Sequence, residues 1–189
     1  QDPQLHTHAI VLNISKRTDV TTGSIESKHL FTHKMVAGAL YRAELASQLE
    51  KRLGLEAEKK NSWFELKGVS LELTKEFSKR REEILETLDS KGFSSAEAAK
   101  VATLNTRGKK EHLPRGELFK QWQELGSSFG WGKKELEELT NTAKTKNPEK
   151  EKNEALNKSL EKITEQKSYF TEKDLIRAVA EEAQGRGLG

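Results

Sequence analysis

The sequence predicts an α+β fold with five to six helices and a small antiparallel sheet, made of one β-hairpin and one strand that carries two histidines. Three observations predict this class. Side chains over residues 4–14 follow the two-residue period of a β-strand. A short aromatic run around Trp63 lies between turn-forming residues, as in a hairpin. Along most of the remaining chain, apolar residues recur at helical spacing between capping residues.

The first predicted element is a strand over residues 4–14, which is rich in β-branched residues. Alternation places one set of side chains on the same face: His6, His8, Ile10, Leu12 and Ile14. A loop over residues 17–24 follows the strand. A long helix then begins near Ser27, a favourable N-cap, and ends just before Gly54, because glycine readily adopts the left-handed conformation that stops a helix.

Four helices are predicted between the hairpin and a later charged region. The first covers residues 71–89. Ser94 and Glu97 form a capping box that opens the second. Pro114 fits the first turn of the third, and the fourth covers residues 133–142.

Residues 143–169 differ from the rest in composition, because Lys, Glu and Asn dominate and apolar residues are few. We therefore expect a charged linker that is partly helical. Thr171 then caps a short final helix with acids in its first turn. These features divide the chain into residues 1–142, the linker and a following segment over residues 170–189.

Composition excludes several classes of protein. Charged residues make up 33% of the 189 residues and apolar residues another 33%, against the usual shares of about 25% and about 45–50%. The core is therefore small or divided among thin helical layers. No apolar run approaches the roughly 20 residues that span a bilayer, which argues against a membrane protein.

The chain contains no cysteine, which excludes disulfide scaffolds, thiolate zinc sites and thiol nucleophiles. This composition is consistent with a cytoplasmic protein. The net charge of +3 permits nucleic-acid binding without indicating it, since 33 cations and 30 anions are interleaved as on an ordinary solvated surface. The first residue is Gln, so we expect a piece of a longer protein.

His6 and His8 are the first candidate for chemistry. On a strand, residues two apart project from one face about 7 Å apart, so both imidazoles could reach one divalent ion. Imidazole is the commonest nitrogen ligand for such ions. The alternative is two histidines on a half-exposed strand with no metal. Two ligands are also fewer than the three that catalytic zinc normally takes.

A basic loop is the second candidate. Arg107, Lys109 and Lys110 follow the hydroxyl of Thr106, and cations with a hydroxyl suit phosphate contacts. The alternative is an ordinary solvated loop.

His29 and His33, spaced by four residues, are better explained as a helix surface than as a metal site. The three tryptophans are typical of a core, and no glycine-rich phosphate loop or catalytic carboxylate pair is present.

Several motifs together resemble conjugative relaxases of the TrwC/TraI type, the MobF group. Residues 3–13 are similar to the metal-binding strand of these enzymes, and the resemblance extends in order through the segments 33–45, 63–69, 77–80 and 105–110. It covers roughly residues 1–140, which by this resemblance are the C-terminal part of a relaxase domain. Residues 170–175 resemble the segment that opens the helicase portion following that domain.

The resemblance implies a mechanism. Relaxases bind a plasmid transfer origin as single-stranded DNA, and a divalent ion held by histidines polarises the scissile phosphate. A tyrosine near the enzyme's N-terminus then attacks and forms a 5′-phosphotyrosyl link. On this basis His6 and His8 match two metal ligands, and Mg²⁺, Mn²⁺ or Zn²⁺ would bind weakly to this chain.

Parts of the family pattern are not found in this sequence. The third histidine and the nucleophilic tyrosine of the family lie upstream of the His-x-His strand, so we assign no catalytic residue here. We expect single-stranded DNA as a partner, together with the N-terminal half of the relaxase domain. The alternative function is a non-catalytic helical module that binds DNA or a partner protein. Salt-sensitive binding without a metal effect would favour that alternative.

Overall fold

The fold is taken from a computed structural model, which describes residues 2–3, 6–90, 92, 95–105, 113–140 and 142–189. Within those ranges the chain forms eight helices and two small antiparallel sheets of two strands each. The α+β prediction is therefore confirmed, although the helices outnumber the predicted five to six. None of the helices in these ranges is long and apolar enough to cross a bilayer.

The helices and strands have the following bounds. The strands are β1 (Ser15–Lys16), β2 (Thr22–Gly23), β3 (Ala57–Lys59) and β4 (Phe64–Leu66). The first four helices are α1 (Lys28–Leu53), α2 (Leu71–Glu76), α3 (Lys79–Ser90) and α4 (Ala96–Asn105). The last four are α5 (Arg115–Ser128), α6 (Lys133–Leu139), α7 (Pro148–Gln166) and α8 (Glu172–Ala183).

The long helix α1 ends where the sequence predicts. Gly54 adopts φ of +66°, and its backbone N–H donates to the Glu50 carbonyl. A residue with a Cβ is strained in this conformation, so glycine ends the helix. The buried face of α1 is made mainly of small residues at helical spacing: Val36, Ala39, Ala43 and Ala46. Small side chains let a neighbouring helix approach closely.

The predicted hairpin is also confirmed. Strands β3 and β4 pair antiparallel, with Ala57 opposite Leu66 and Lys59 opposite Phe64. The Lys60 N–H donates to the Trp63 carbonyl at 2.8 Å and closes the turn. The Ser62 carbonyl at the tip accepts from the Arg42 side chain, at 2.9 Å, which ties the hairpin to α1.

The charged segment forms a longer helix than its composition suggests. In α7, the Asn147 side chain accepts from the N–H groups of Glu149 and Lys150, and proline occupies the first turn. Ala155 and Ser159 are fully buried, and α7 packs against α8. The division at residues 142/143 and 169/170 stays a prediction about domain organisation.

The final helix, α8, packs against both α1 and α7. Its start is a capping box in which Thr171 and Asp174 exchange hydrogen bonds. The Thr171 backbone N–H and the Lys167 ammonium donate to Asp174, and these bonds hold the pKa of that carboxyl well below its usual range. Residues 8–68 and 136–189 thus form one compact unit.

A second compact unit contains residues 69–135 and the chain up to Thr7. The prediction of a single helix over residues 71–89 is wrong, because α2 ends and α3 begins on either side of Ser78. The Ser78 carbonyl accepts from the N–H groups of Arg81 and Glu82 and so begins α3. The Arg80 guanidinium donates to the Thr103 carbonyl at 2.8 Å, which joins α3 to α4.

The start of α5 differs slightly from the prediction, and the predicted cap of α4 lies partly outside the described residues. The Ser95 hydroxyl accepts from the Ala98 N–H at the start of α4, whereas Ser94 lies outside the described residues. Pro114 immediately precedes α5 rather than lying within its first turn. Helix α6 ends at Leu139, three residues earlier than predicted.

The sequence predicts a strand over residues 4–14, of which the structure describes residues 6–14. These residues form no strand. Ile10, Leu12 and Ile14 are 85%, 73% and 67% exposed. A strand with apolar residues on both faces needs neighbouring strands to pair with its backbone, and among the described residues no strand pairs with this segment. The ladder that does form, β1 with β2, lies just beyond it.

Candidate functional site

The two candidate metal ligands lie on an exposed segment. The side chains of His6 and His8 are both accessible to solvent. Their ring nitrogens are suitable donors for a divalent ion. Within the described residues, no group of three or more His, Asp or Glu side chains is close enough to hold a metal. Among these residues the two imidazoles therefore do not form a closed metal site, and their role as ligands stays a prediction.

The second histidine pair is engaged by the helix that carries it. The His33 Nδ1 atom lies 2.8 Å from the His29 carbonyl, one turn earlier in α1. Because a carbonyl only accepts, Nδ1 carries the proton in this arrangement. The Thr32 hydroxyl lies 3.1 Å from the same nitrogen. These contacts agree with a helix-surface role.

The basic loop lies outside the described residues, so the structure does not position Arg107, Lys109 or Lys110. In sequence the loop joins α4 to α5. Its role as a phosphate-contacting segment stays a prediction.

The aromatic residues divide into partly buried and exposed groups. Trp122 and Trp131 are partly buried, whereas Trp63 at the hairpin tip is 46% exposed. Tyr41 lies within α1 and is 48% exposed, and Tyr169 lies just before α8 and is 82% exposed. Both tyrosines therefore have accessible side chains, and neither precedes the two histidines in the chain.

Sequence reasoning missed a cluster of partly buried ion pairs. The Lys146 ammonium lies 2.8 Å from Glu50 Oε1 and 2.7 Å from the Gly185 carbonyl. The Arg186 guanidinium contacts Glu151 at 2.7 Å and Glu154 at 3.0 Å. The partners are up to 96 residues apart, so no local sequence signal could have revealed them.

The same cluster holds the C-terminal residues against the hairpin. Gly185 adopts φ of +75°, and a Cβ there would lie 2.6 Å from the Ala57 carbonyl oxygen. Glycine is thus required both by backbone conformation and by the close approach of β3. Burial lowers the pKa of the Arg186 guanidinium, but hydrogen bonds to Glu151 and Glu154 outweigh it, and the net pKa lies above the usual value.

Sequence comparison places most of the chain among known proteins. Residues 1–128 match the TrwC relaxase family. In an alignment of 143 positions that covers 69% of this chain, the sequence is 32% identical to the multifunctional conjugation protein TraI of Escherichia coli K12. The chain spans only 8% of the length of TraI.

Solved structures agree with this match. The conjugative relaxase TrwC in complex with mutant oriT DNA is similar to this chain with a TM-score of 0.65 and 33% identity, over 70% of this chain and 49% of that chain. A metal-bound complex of TrwC with oriT DNA gives a TM-score of 0.64 at 33% identity, over 69% of this chain and 47% of that chain. Because the family match extends over more than half of the 189 residues, the chain belongs to the TrwC relaxase family.

Proposed function

We propose that this chain is part of a conjugative relaxase, a metal-dependent DNA strand transferase that nicks single-stranded DNA at a plasmid transfer origin. The observation that carries the proposal is the family match over residues 1–128, which includes the His6–His8 pair and the basic loop. The related TrwC structures contain oriT DNA, and one is metal-bound. The nucleophilic tyrosine is proposed to come from outside these 189 residues.

His6 and His8 are proposed to supply two of the metal ligands. Held by these two imidazoles together with further ligands, Mg²⁺, Mn²⁺ or Zn²⁺ would supply Lewis-acid chemistry at the scissile phosphate. Each histidine donates one unprotonated ring nitrogen, so metal binding requires both rings to be neutral. The remaining ligands are proposed to come from the N-terminal half of the relaxase domain.

The exposed segment after His8 supports that choice of partner. The backbone of residues 9–12 forms no hydrogen bond with the rest of the described chain, and the side chains of Ile10, Val11 and Leu12 are all more than half exposed. Apolar residues on both faces are typical of a central strand. We propose that strands of the N-terminal half pair with both edges of this segment.

DNA binding is the direct test of the proposed function. We expect the polypeptide to bind a fluorescent single-stranded transfer-origin oligonucleotide, with an affinity that falls as salt rises because binding releases condensed counterions from the DNA. Anisotropy titrations at several salt concentrations measure this. Absence of single-strand binding at low salt would contradict the proposal. Binding that Mn²⁺ leaves unchanged, even with the N-terminal half present, would favour the non-catalytic module.

Weak metal binding is a second expected outcome. With two ligands from this chain, calorimetry should give an affinity for Mn²⁺ or Zn²⁺ well below that of a closed site, because a catalytic zinc normally has three protein ligands. His6→Ala with His8→Ala should remove the residual binding, and His29→Ala should leave it unchanged. Tight stoichiometric binding abolished by His6→Ala alone would mean that this chain supplies a third ligand.

The basic loop gives a third expectation. If Arg107 and Lys109 contact phosphate, changing both to Ala should weaken single-strand binding evenly across sequences. The slope of log affinity against log salt should fall by about 0.7 for each phosphate that the variant no longer neutralises. Lys150→Ala with Lys152→Ala, on α7, is the matched control for removal of two cations. An unchanged slope in the loop variant would remove this loop from the binding surface.

A further inference from the structure

Helix α5 carries an exposed stripe that no role proposed so far uses. Arg115, Phe119 and Gln123 follow one another at intervals of four residues, so they lie along one side of the helix. All three are exposed, and Phe119 is 52% accessible. Leu118, about 100° around the axis from Phe119, is partly buried, so the adjacent side of the helix turns inward.

The Phe119 ring is supported from behind. Its centroid lies 5.4 Å from that of Trp122, with the two planes at 77°, which is an edge-to-face arrangement. Such pairs favour a defined ring orientation. Trp122 is partly buried, so the Phe119 ring is in contact with a supporting ring while 52% of its surface stays exposed to solvent.

The charge around this ring favours an anionic partner. Arg115 is exposed, and its side chain forms no hydrogen bond or ion pair within the described part of the chain. The two acids of the helix, Glu117 and Glu124, lie about 140–160° around the axis from Phe119 at about 100° per residue. The stripe therefore combines a cation, an aromatic face and the Gln123 amide, and both acids of the helix lie on the side opposite to Phe119.

We infer that this stripe is a binding site for unpaired nucleotides of single-stranded DNA, in which one base stacks on Phe119. Arg115 contacts the neighbouring phosphate, and the Gln123 amide faces the edge of the base. An exposed aromatic ring beside a cation is the usual arrangement for sequence-tolerant single-strand binding. A purely apolar protein partner would leave the Arg115 charge without a counterpart. The inference rests on the proposed function, because it supplies a contact for the same DNA.

The test compares two substitutions that remove different parts of the interaction. Phe119→Ala should weaken binding of an oligonucleotide about tenfold, within the range measured for removal of one stacked base, without changing the salt slope. Phe119→Trp should retain binding, since it keeps an aromatic face. Arg115→Ala should weaken binding and also lower the salt slope, because one phosphate is no longer neutralised. Leu85→Ala, another exposed apolar residue in the same compact unit, is the matched control.

Abasic DNA provides a second measurement. We expect a scan of single abasic sites to reveal one position at which removal of the base weakens binding by the wild-type protein. At that position the Phe119→Ala substitution should cause no further loss of affinity, because the base that would stack on Phe119 is already missing from the DNA. Circular dichroism checks that each variant is folded. Equal loss of affinity from Phe119→Ala and Leu85→Ala, or no position of coupling, would overturn this site while leaving DNA binding by the chain intact. Absence of any single-strand binding by the wild type would instead overturn the proposed function.

Discussion

The 189-residue polypeptide, mixed with a transfer-origin oligonucleotide and Mn²⁺, is expected to form no covalent adduct and to leave the DNA uncut. Strand transfer needs a nucleophile in line with the scissile phosphate, and removal of a nucleophile costs about 10⁶-fold in rate in well-studied enzymes. The resemblance implies a tyrosine upstream of the histidine strand. The two tyrosines of this chain, Tyr41 and Tyr169, both follow it.

A denaturing gel of the protein–DNA mixture measures this directly. Tyr41→Phe and Tyr169→Phe should behave as the wild type, since neither hydroxyl takes part. Addition of a polypeptide that contains the N-terminal half of a relaxase domain should restore a trace of cleavage, because that half is proposed to supply the nucleophile and the missing strands. An adduct formed by the chain alone, and abolished in either tyrosine variant, would show that the proposed source of the nucleophile is wrong.

Features set by neighbouring residues could be predicted from the sequence. Gly54 ends α1 because only a short stretch of backbone decides whether a left-handed residue can form there. The hairpin around Trp63 likewise depends on a local turn. The order of the relaxase motifs, rather than any single one, led to the family that the comparison supports.

Features that depend on distant partners could not be predicted in the same way. The histidine segment has the composition of a strand, yet its described part forms none, because β structure requires a second chain segment to pair with. Helix α7 has few apolar residues, yet it packs against α8 and buries Ala155 and Ser159, which no local pattern reveals. The break at Ser78 was missed because apolar spacing continues across it.

We expect contacts of the C-terminal residues to add to the free energy of unfolding. The ion pair between Glu50 and Lys146 should make the largest part of that contribution. Glu50 is 9% exposed, and its Oε1 atom accepts from Lys146 at 2.8 Å and from the Ala57 N–H at 3.3 Å. Without Lys146 the carboxylate would keep a single weak donor, and the Gly185 carbonyl would also lose its partner. Leaving a buried charge unpaired costs about 3–5 kcal/mol, and the partial exposure of Lys146 reduces this to about 2 kcal/mol.

Lys146→Met should therefore lower the melting temperature by about 4–8 °C, given a shift of about 2–4 °C per kcal/mol for a protein of this size. Lys150→Met is the matched control, because that lysine is 71% exposed and lies 3.9 Å from Glu154; such surface pairs contribute under about 1 kcal/mol. The double variant Glu50→Gln with Lys146→Met should be less destabilised than the sum of the single variants, since each removes the same interaction. Equal melting temperatures for Lys146→Met and Lys150→Met would mean that the C-terminal residues are held by helix packing alone. The Glu50–Lys146 pair would then fix only where the chain end lies, without adding to the free energy of unfolding.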